Sequence, residues 1–190
     1  MKGVVAIAGN RLYDGSYNSH VYALDARSGK LIWRASSQER LGSRGTFYST
    51  PAAVYGRVYI GSTDGKVYSY GATSGELRWS YGTGGYVYSS PAVWRQRILI
   101  GSYSGNFYAF DAATGEVRWR FEANGPISGS PTVLAGVVYF STLKQRTYAL
   151  AAATGKLLWS FPDGKYSPVV ADRKRLYLVG YTRVYGLVER

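Results

Sequence analysis

Ala109-Phe110-Asp111-Ala112-Ala113-Thr114-Gly115-Glu116-Val117-Arg118-Trp119 is the stretch from which the rest of the chain is read. Near-copies occupy Ala23 to Trp33, Ser69 to Trp79 and Ala149 to Trp159. Each copy ends in a tryptophan four residues after a glycine, at Gly29, Gly75, Gly115 and Gly155. Trp33, Trp79, Trp119 and Trp159, four of the five tryptophans, are therefore one position met four times. A second series runs in step with the first. Pro51, Pro91 and Pro131 lie 40 residues apart, Pro168 follows after 37, and each of the first three precedes a tryptophan by 28. A period near 40 with several short β segments per unit is the pattern of propeller blades.

One unit shows the segments. Ser90 to Trp94 reads as a short strand opened by proline, which is tolerated at a strand's first position. Arg97 to Ser102 is a second strand, and Tyr103-Ser104-Gly105-Asn106 supplies turn residues able to take positive φ. Phe107 to Asp111 is a third strand, Ala112 to Gly115 a second turn, and Glu116 to Phe121 the outermost strand. The same reading divides residues 1–190 into one all-β domain of units at about 1–35, 48–81, 88–121, 128–161 and 166–190. In unit one the strands are Gly3–Ala8, Arg11–Gly15, Val21–Asp25 and Lys30–Arg34. Unit five offers Ser167–Ala171, Arg175–Val179 and Arg183–Val188, without a fourth strand or its tryptophan. The expected fold is thus a β-propeller of four-stranded antiparallel blades, four complete and a three-stranded fifth. The repeat count favours a small closed ring over an open arc. An arc would leave faces and an edge prone to association, and with it a homo-oligomer.

Composition agrees with strands and tight turns: 19 tyrosines and 24 glycines in 190 residues. A chain of this length buries roughly 70% of its unfolded surface and needs no staple. With no cysteine, disulfide scaffolds and Cys-ligated zinc are excluded. The formal charge of +12 would attract polyanions, but apart from Arg173-Lys174-Arg175 the cations are scattered. No RNA-binding motif accompanies them, so a nucleic-acid partner ranks low. The apolar run after Met1-Lys2-Gly3 is too short for a signal peptide, and none approaches a membrane span.

The repeated residues have mechanical explanations. Asp25 and Asp111 can cap turn amides, while the glycine takes a left-handed conformation. Gly71 and Ala151 replace the aspartate in units two and four, a loss that a turn tolerates and a catalytic site does not. The tryptophans, too large to leave in water, read as fasteners between blades.

These residues resemble the tryptophan-docking motif of the pyrroloquinoline-quinone (PQQ) enzyme repeat, best matched at Ala23–Trp33 and Ala109–Trp119. Ser90-Pro91-Ala92-Val93 and Val58-Tyr59-Ile60-Gly61-Ser62 are similar to the inner strands of that family. The resemblance covers essentially the whole chain and implies a quinoprotein-type propeller. It does not imply the cofactor, since the family includes propellers without quinone, among them the lipoprotein of the outer-membrane barrel-assembly machinery. Its dehydrogenases imply a larger ring, typically of eight blades, with a calcium held by carboxylate and amide oxygens and a catalytic aspartate. Here the carboxylates fall mostly in turns and loops, and the remainder show no calcium-loop spacing. No catalytic residue, metal ligand or cofactor is therefore assigned, and PQQ is disfavoured. His20 lies at a strand start where other units have Lys66, Asn106 and Arg146, so it is read as a variable, solvated position. The family points to a bacterial periplasmic or extracellular protein; without an export signal in the chain the cytoplasm stays open.

Topology gives the place of a binding site. Connections between blades, and turns between second and third strands, share the face around the channel mouth. They carry Tyr17, Arg40, Arg44, Phe47, Tyr48, Tyr86, Tyr88, Tyr103, Glu122, Asn124, Lys144, Lys165 and Tyr166. Aromatics interleaved with cations suit peptide side chains or sugars. The first connection is six residues longer than the next two, since Trp33 to Trp79 spans 46 residues against 40. The expected function is a non-enzymatic scaffold presenting this face to a protein or polysaccharide. A reduced quinoprotein oxidoreductase is the alternative, and polyanion binding ranks below both.

Overall fold

Short runs of valine, isoleucine and aromatics, closed off every few residues by glycine or asparagine, can only pair locally. The chain accordingly folds as a series of up-and-down sheets. The computed structural model describes residues 4–40, 42–166, 169–171 and 175–187. Ser167, Pro168, Asp172, the Arg173-Lys174 part of the basic run, Val188 and Glu189 lie outside them.

Unit one is a sheet of β1 (Ala6–Ala8), β2 (Arg11–Gly15), β3 (His20–Asp25) and β4 (Leu31–Ser36), in that order and antiparallel. The long connection that follows contains a small hairpin the sequence did not announce, β5 (Glu39–Arg40) with β6 (Ser43–Arg44). Units two, three and four repeat the four-stranded order. They comprise β7 (Ala52–Val54) to β10 (Leu77–Gly82), β11 (Ala92–Trp94) to β14 (Val117–Glu122), and β15 (Thr132–Leu134) to β18 (Leu157–Phe161). Among the described residues unit five has three strands, β19 (Val170–Ala171), β20 (Leu176–Val179) and β21 (Val184–Leu187).

Strand alternation gives each sheet two faces, and the sheets stack face to face. Tyr13, Val21, Ala23 and Trp33 of unit one meet Val58, Ile60, Tyr68 and Tyr70 of unit two. The same layer recurs between units two and three and between three and four. Near the axis the innermost strands are laced together by side chains. The Val4 amide donates to Thr50 Oγ1, the Thr50 amide to Ser90 Oγ, and the Ser90 amide to Ser130 Oγ, all within 3.0 Å.

The closed five-blade ring favoured on repeat count is not what these faces form. Ile7 of unit one is 66% exposed and Val184 of unit five 67%, and among the described residues neither end sheet covers the other. Large rings such as Tyr68, Phe110 and Tyr148 fill the layers between successive sheets. The described residues form an arc.

Candidate functional site

Two sets of residues were singled out by the sequence: the tryptophan–glycine pairs and the loop face. In each complete unit the pairing of third and fourth strands is interrupted by a β-bulge just before the tryptophan, as between Ala109 and Phe110 opposite Trp119 and Val117. A bulge re-aims the side chain that follows it. The tryptophan therefore leaves its own sheet and reaches the next unit's outer turn. Trp33 Nε1 donates to the Ala72 carbonyl at 3.0 Å, Trp79 to Ala112 at 3.1 Å and Trp119 to Ala152 at 3.1 Å. The ring lies flat on the turn glycine: a Cβ on Gly75 would stand 2.7 Å from Trp33, and one on Gly115 2.6 Å from Trp79. The glycine thus serves twice, for its positive φ and as a seat. Trp159 differs: among the described residues unit five ends at its third strand, and the Trp159 ring lies against Tyr139 of its own unit.

The aspartates of these turns are caps. Asp111 accepts the amides of Ala113 and Thr114, both at 2.9 Å, and pairs with Arg118 at 2.7 Å. The Arg118 guanidinium, followed by the turn amides, holds the Asp111 carboxyl down at about 2. Because the folded value lies below the unfolded one, this stabilisation is present above pH ~4 and is lost as pH falls toward 2. Asp111→Asn is expected to cost on the order of 1 kcal/mol at neutral pH. Denaturant titrations at pH 7 and pH 2.5 test this: the gap between the two proteins should close at the lower pH.

On the loop face the connections and turns come together as topology requires. The Phe47 amide donates to the Ser16 carbonyl, Val87 to Ser62, and Tyr103 to Tyr86, each within 3.1 Å. They join five tyrosines from three units into one surface. Tyr17 stacks on Tyr48 at 4.4 Å between ring centroids; Tyr48 meets Tyr88 edge-on at 5.3 Å. Tyr88 in turn meets Tyr103 at 5.1 Å and Tyr86 at 5.8 Å. Tyr48, Tyr88 and Tyr103 line a concavity with Ser128, while Tyr86 stands 53% exposed beside it. Desolvation, then the neighbouring phenols, raises the pKa of Tyr17 and Tyr88, so both stay neutral hydrogen-bonding groups at physiological pH.

Several expected members behave differently. Phe47 is not on this face: it is fully buried between units one and two, edge-on to Tyr68 at 5.8 Å. Its position is one where the next connections carry Val87 and Ile127, also buried, so it is a plug under the loop. Arg44 is tied back to Glu39 at 3.1 Å and to Ser36 Oγ at 2.8 Å. The side chain of Arg40 lies outside the described residues. Asn124 is built into its loop, accepting from Thr142 Oγ1 at 2.7 Å and donating its amide to Tyr148 at 3.0 Å. Glu122 and Lys144 are exposed nearby. Lys165 and Tyr166 form a separate group, with the Lys165 ammonium 5.3 Å from the Tyr166 ring and 4.6 Å from Tyr181. Tyr181 was legible in principle, since it occupies the same turn as Tyr17 and Tyr103. His20 holds to its turn through Nδ1 and the Asn18 carbonyl, 2.7 Å apart.

Sequence reasoning missed Asp14. It stands on β2 where units two to five carry Ile60, Ile100, Phe140 and Leu178. It is 7% exposed, burial pushes its carboxyl up, and Oδ1 has no hydrogen-bond partner. An acid in a column of aliphatic and aromatic residues was the available clue.

Comparison with known proteins agrees with the architecture. A family model described as outer membrane protein assembly factor BamB matches residues 1–88 and 83–187. No curated protein matches the chain in sequence. Among solved structures, BamB from Moraxella catarrhalis superposes with a TM-score of 0.83 at 21% identity, over 98% of this chain and 58% of that one. Quinohemoprotein alcohol dehydrogenase from Comamonas testosteroni gives 0.83 at 19% identity, over 98% of this chain and 41% of that one. The computationally designed Ika8 protein gives 0.82 at 14%, over 97% and 57%. The chain thus spans little more than half of BamB and less of the dehydrogenase, and at these identities the likeness is one of fold. Repeat motif, sheet order and family model converge: the chain belongs to the BamB-type family of PQQ-repeat β-propellers.

Proposed function

We propose that the protein is a non-enzymatic scaffold of the bacterial periplasm that holds a partner protein against its tyrosine face. The observation that carries this reading is the unbroken ring contact from Tyr17 through Tyr48 and Tyr88 to Tyr86 and Tyr103. Rigid aromatic side chains offer large contact area for little ordering entropy, and their hydroxyls add hydrogen bonds at the rim. Such rings are the usual anchors of protein interfaces. The family description, an assembly factor, favours protein over polysaccharide.

The residues of this face do not fit a calcium-held quinone. Calcium takes six or more oxygen ligands, several of them carboxylates. Among the described residues no three acidic, histidine or cysteine side chains converge. Asp64, the carboxylate beside the tyrosines, already accepts from the Tyr68 hydroxyl and the Lys66 amide.

A photo-crosslinking amino acid placed at Tyr86 should capture a protein in cell-envelope extracts, while the same group at Leu77, exposed on the outer edge, should not. Tyr88→Ala should weaken the captured complex by roughly tenfold or more. Equal capture from both positions, or an adduct resistant to protease, would sink this reading. So would oxidation of an alcohol with added PQQ and calcium.

A further inference from the structure

Residues 48, 88 and 128 are one position of the repeat, the second residue ahead of the threonine or serine that laces the innermost strands. They are tyrosine, tyrosine and serine in turn, and open units two, three and four, each of which has a described unit on either side. Ser128 supplies no third ring there, and it lines a concavity with Tyr48, Tyr88 and Tyr103. The Tyr88 ring stands at 80° both to Tyr48 and to Tyr103, with centroids 5.3 and 5.1 Å away. The walls are therefore rings set nearly at right angles.

These walls are braced from beneath. Val87, between Tyr86 and Tyr88, is fully buried. The Gly85 carbonyl accepts from the buried hydroxyls of Thr83 and Ser102 at 2.9 and 3.1 Å, and the Tyr86 carbonyl accepts from the Tyr103 amide at 2.8 Å. A site already held in shape loses little entropy when it is filled.

Hydroxyl use separates these rings from those in the layers. Tyr13, Tyr59, Tyr68, Tyr70, Tyr108 and Tyr148 each engage the hydroxyl within the protein, on backbone groups or on Asp64. Among the described residues, Tyr86, Tyr88 and Tyr103 bond nothing through theirs. No charged side chain lines the concavity, although the chain carries a formal +12. A polyanion finds no cation there, and an ammonium group finds no carboxylate. The lining offers apolar ring surface and phenolic O–H donors. Its complement is uncharged, apolar and rich in carbonyl oxygens, with few N–H groups of its own to satisfy. A polyproline II segment has that make-up: proline lacks the N–H, and its carbonyls make no internal hydrogen bonds.

We propose that the concavity beside Ser128 takes a proline of an extended, proline-bearing segment of a partner protein, with the hydroxyls of Tyr86, Tyr88 and Tyr103 donating to its carbonyls. This rests on the reading of the tyrosine face as a protein-docking surface, and names the part of the partner that it holds.

Fluorescence anisotropy of a dye-labelled octaproline peptide titrated with the full chain reads this directly. The peptide should bind at least tenfold tighter than a glycine–serine peptide of equal length. Ser128→Trp, which fills the concavity, should weaken binding by roughly tenfold or more, and Tyr88→Phe, which keeps the ring, by roughly threefold. Should the new tryptophan disturb folding, Tyr88→Phe carries the test alone, because the hydroxyl it removes bonds nothing within the fold. No preference for proline, indifference to Tyr88→Phe, or tighter binding of chitotetraose than of octaproline overturns the proposal. Competition keeps this apart from the docking reading itself. A crosslinker at Tyr86 that captures a protein only until octaproline is added supports both. Capture that excess octaproline leaves undiminished overturns the proline segment and leaves the scaffold standing.

Discussion

Trp79→Ala is expected to destabilise the protein by about 3–5 kcal/mol, the range for emptying a buried large aromatic site. Trp159→Ala is expected to cost less than half as much. Both residues end the same motif, so sequence alone gives no reason to separate them. The difference lies in what each ring meets. Trp79 is 9% exposed, donates to the Ala112 carbonyl and packs between Tyr59 at 5.8 Å and Phe110 at 5.7 Å, so its loss opens the layer between units two and three. Among the described residues Trp159 docks on no turn of unit five, and its ring meets one other aromatic ring, that of Tyr139 at 5.8 Å. Denaturant unfolding of the two variants decides the matter. Equal losses would mean that the tryptophans act within their own sheets and that docking contributes little. A drop in the denaturant slope for Trp79→Ala would show the units parting in separate steps, as expected of a nearest-neighbour array.

That contrast also marks what the sequence could and could not disclose. Strand boundaries followed from residues that act locally: Gly105 and Gly115 at turns, Pro91 before a strand, and the apolar run Phe107 to Phe110 between them. These gave four-stranded units to within a residue or two. The docking bulge was hidden, because nothing in Glu116-Val117-Arg118-Trp119 distinguishes a regular strand from one that twists its tryptophan outward. Closure was hidden too, since counting repeats carries no information about whether the faces of the first and last sheets meet. On the loop face, Tyr17, Tyr48, Tyr86, Tyr88 and Tyr103 lie in contact while Tyr166 stands apart, and Phe47 needed comparison with Val87 and Ile127 to be recognised as core. Asp14 was set aside because it has no motif around it. Its significance comes only from the residues at the same height in other units.

Gly115→Ala is expected to cost about 2–3 kcal/mol, and Gly29→Ala only about 1 kcal/mol. Each glycine closes the same turn at positive φ, 78° and 69°, where an alanine carries a strain of roughly 1 kcal/mol. Were the turn the whole reason for the motif, the two substitutions would behave alike. At Gly115 the new methyl would stand 2.6 Å from the Trp79 ring, a distance no packed structure sustains, so the ring must lift from its seat and stretch its bond to the Ala112 carbonyl. At Gly29 the methyl meets open space. Fluorescence gives a second readout, since lifting the Trp79 ring exposes its indole and shifts its emission to the red, while Gly29→Ala should leave the spectrum unchanged. A Gly29→Ala variant as damaged as Gly115→Ala would show that something already occupies the first unit's seat in solution, and that the end of the arc is covered. The pair of substitutions therefore measures the seat separately from the turn, and the same experiment tests whether the first seat is empty.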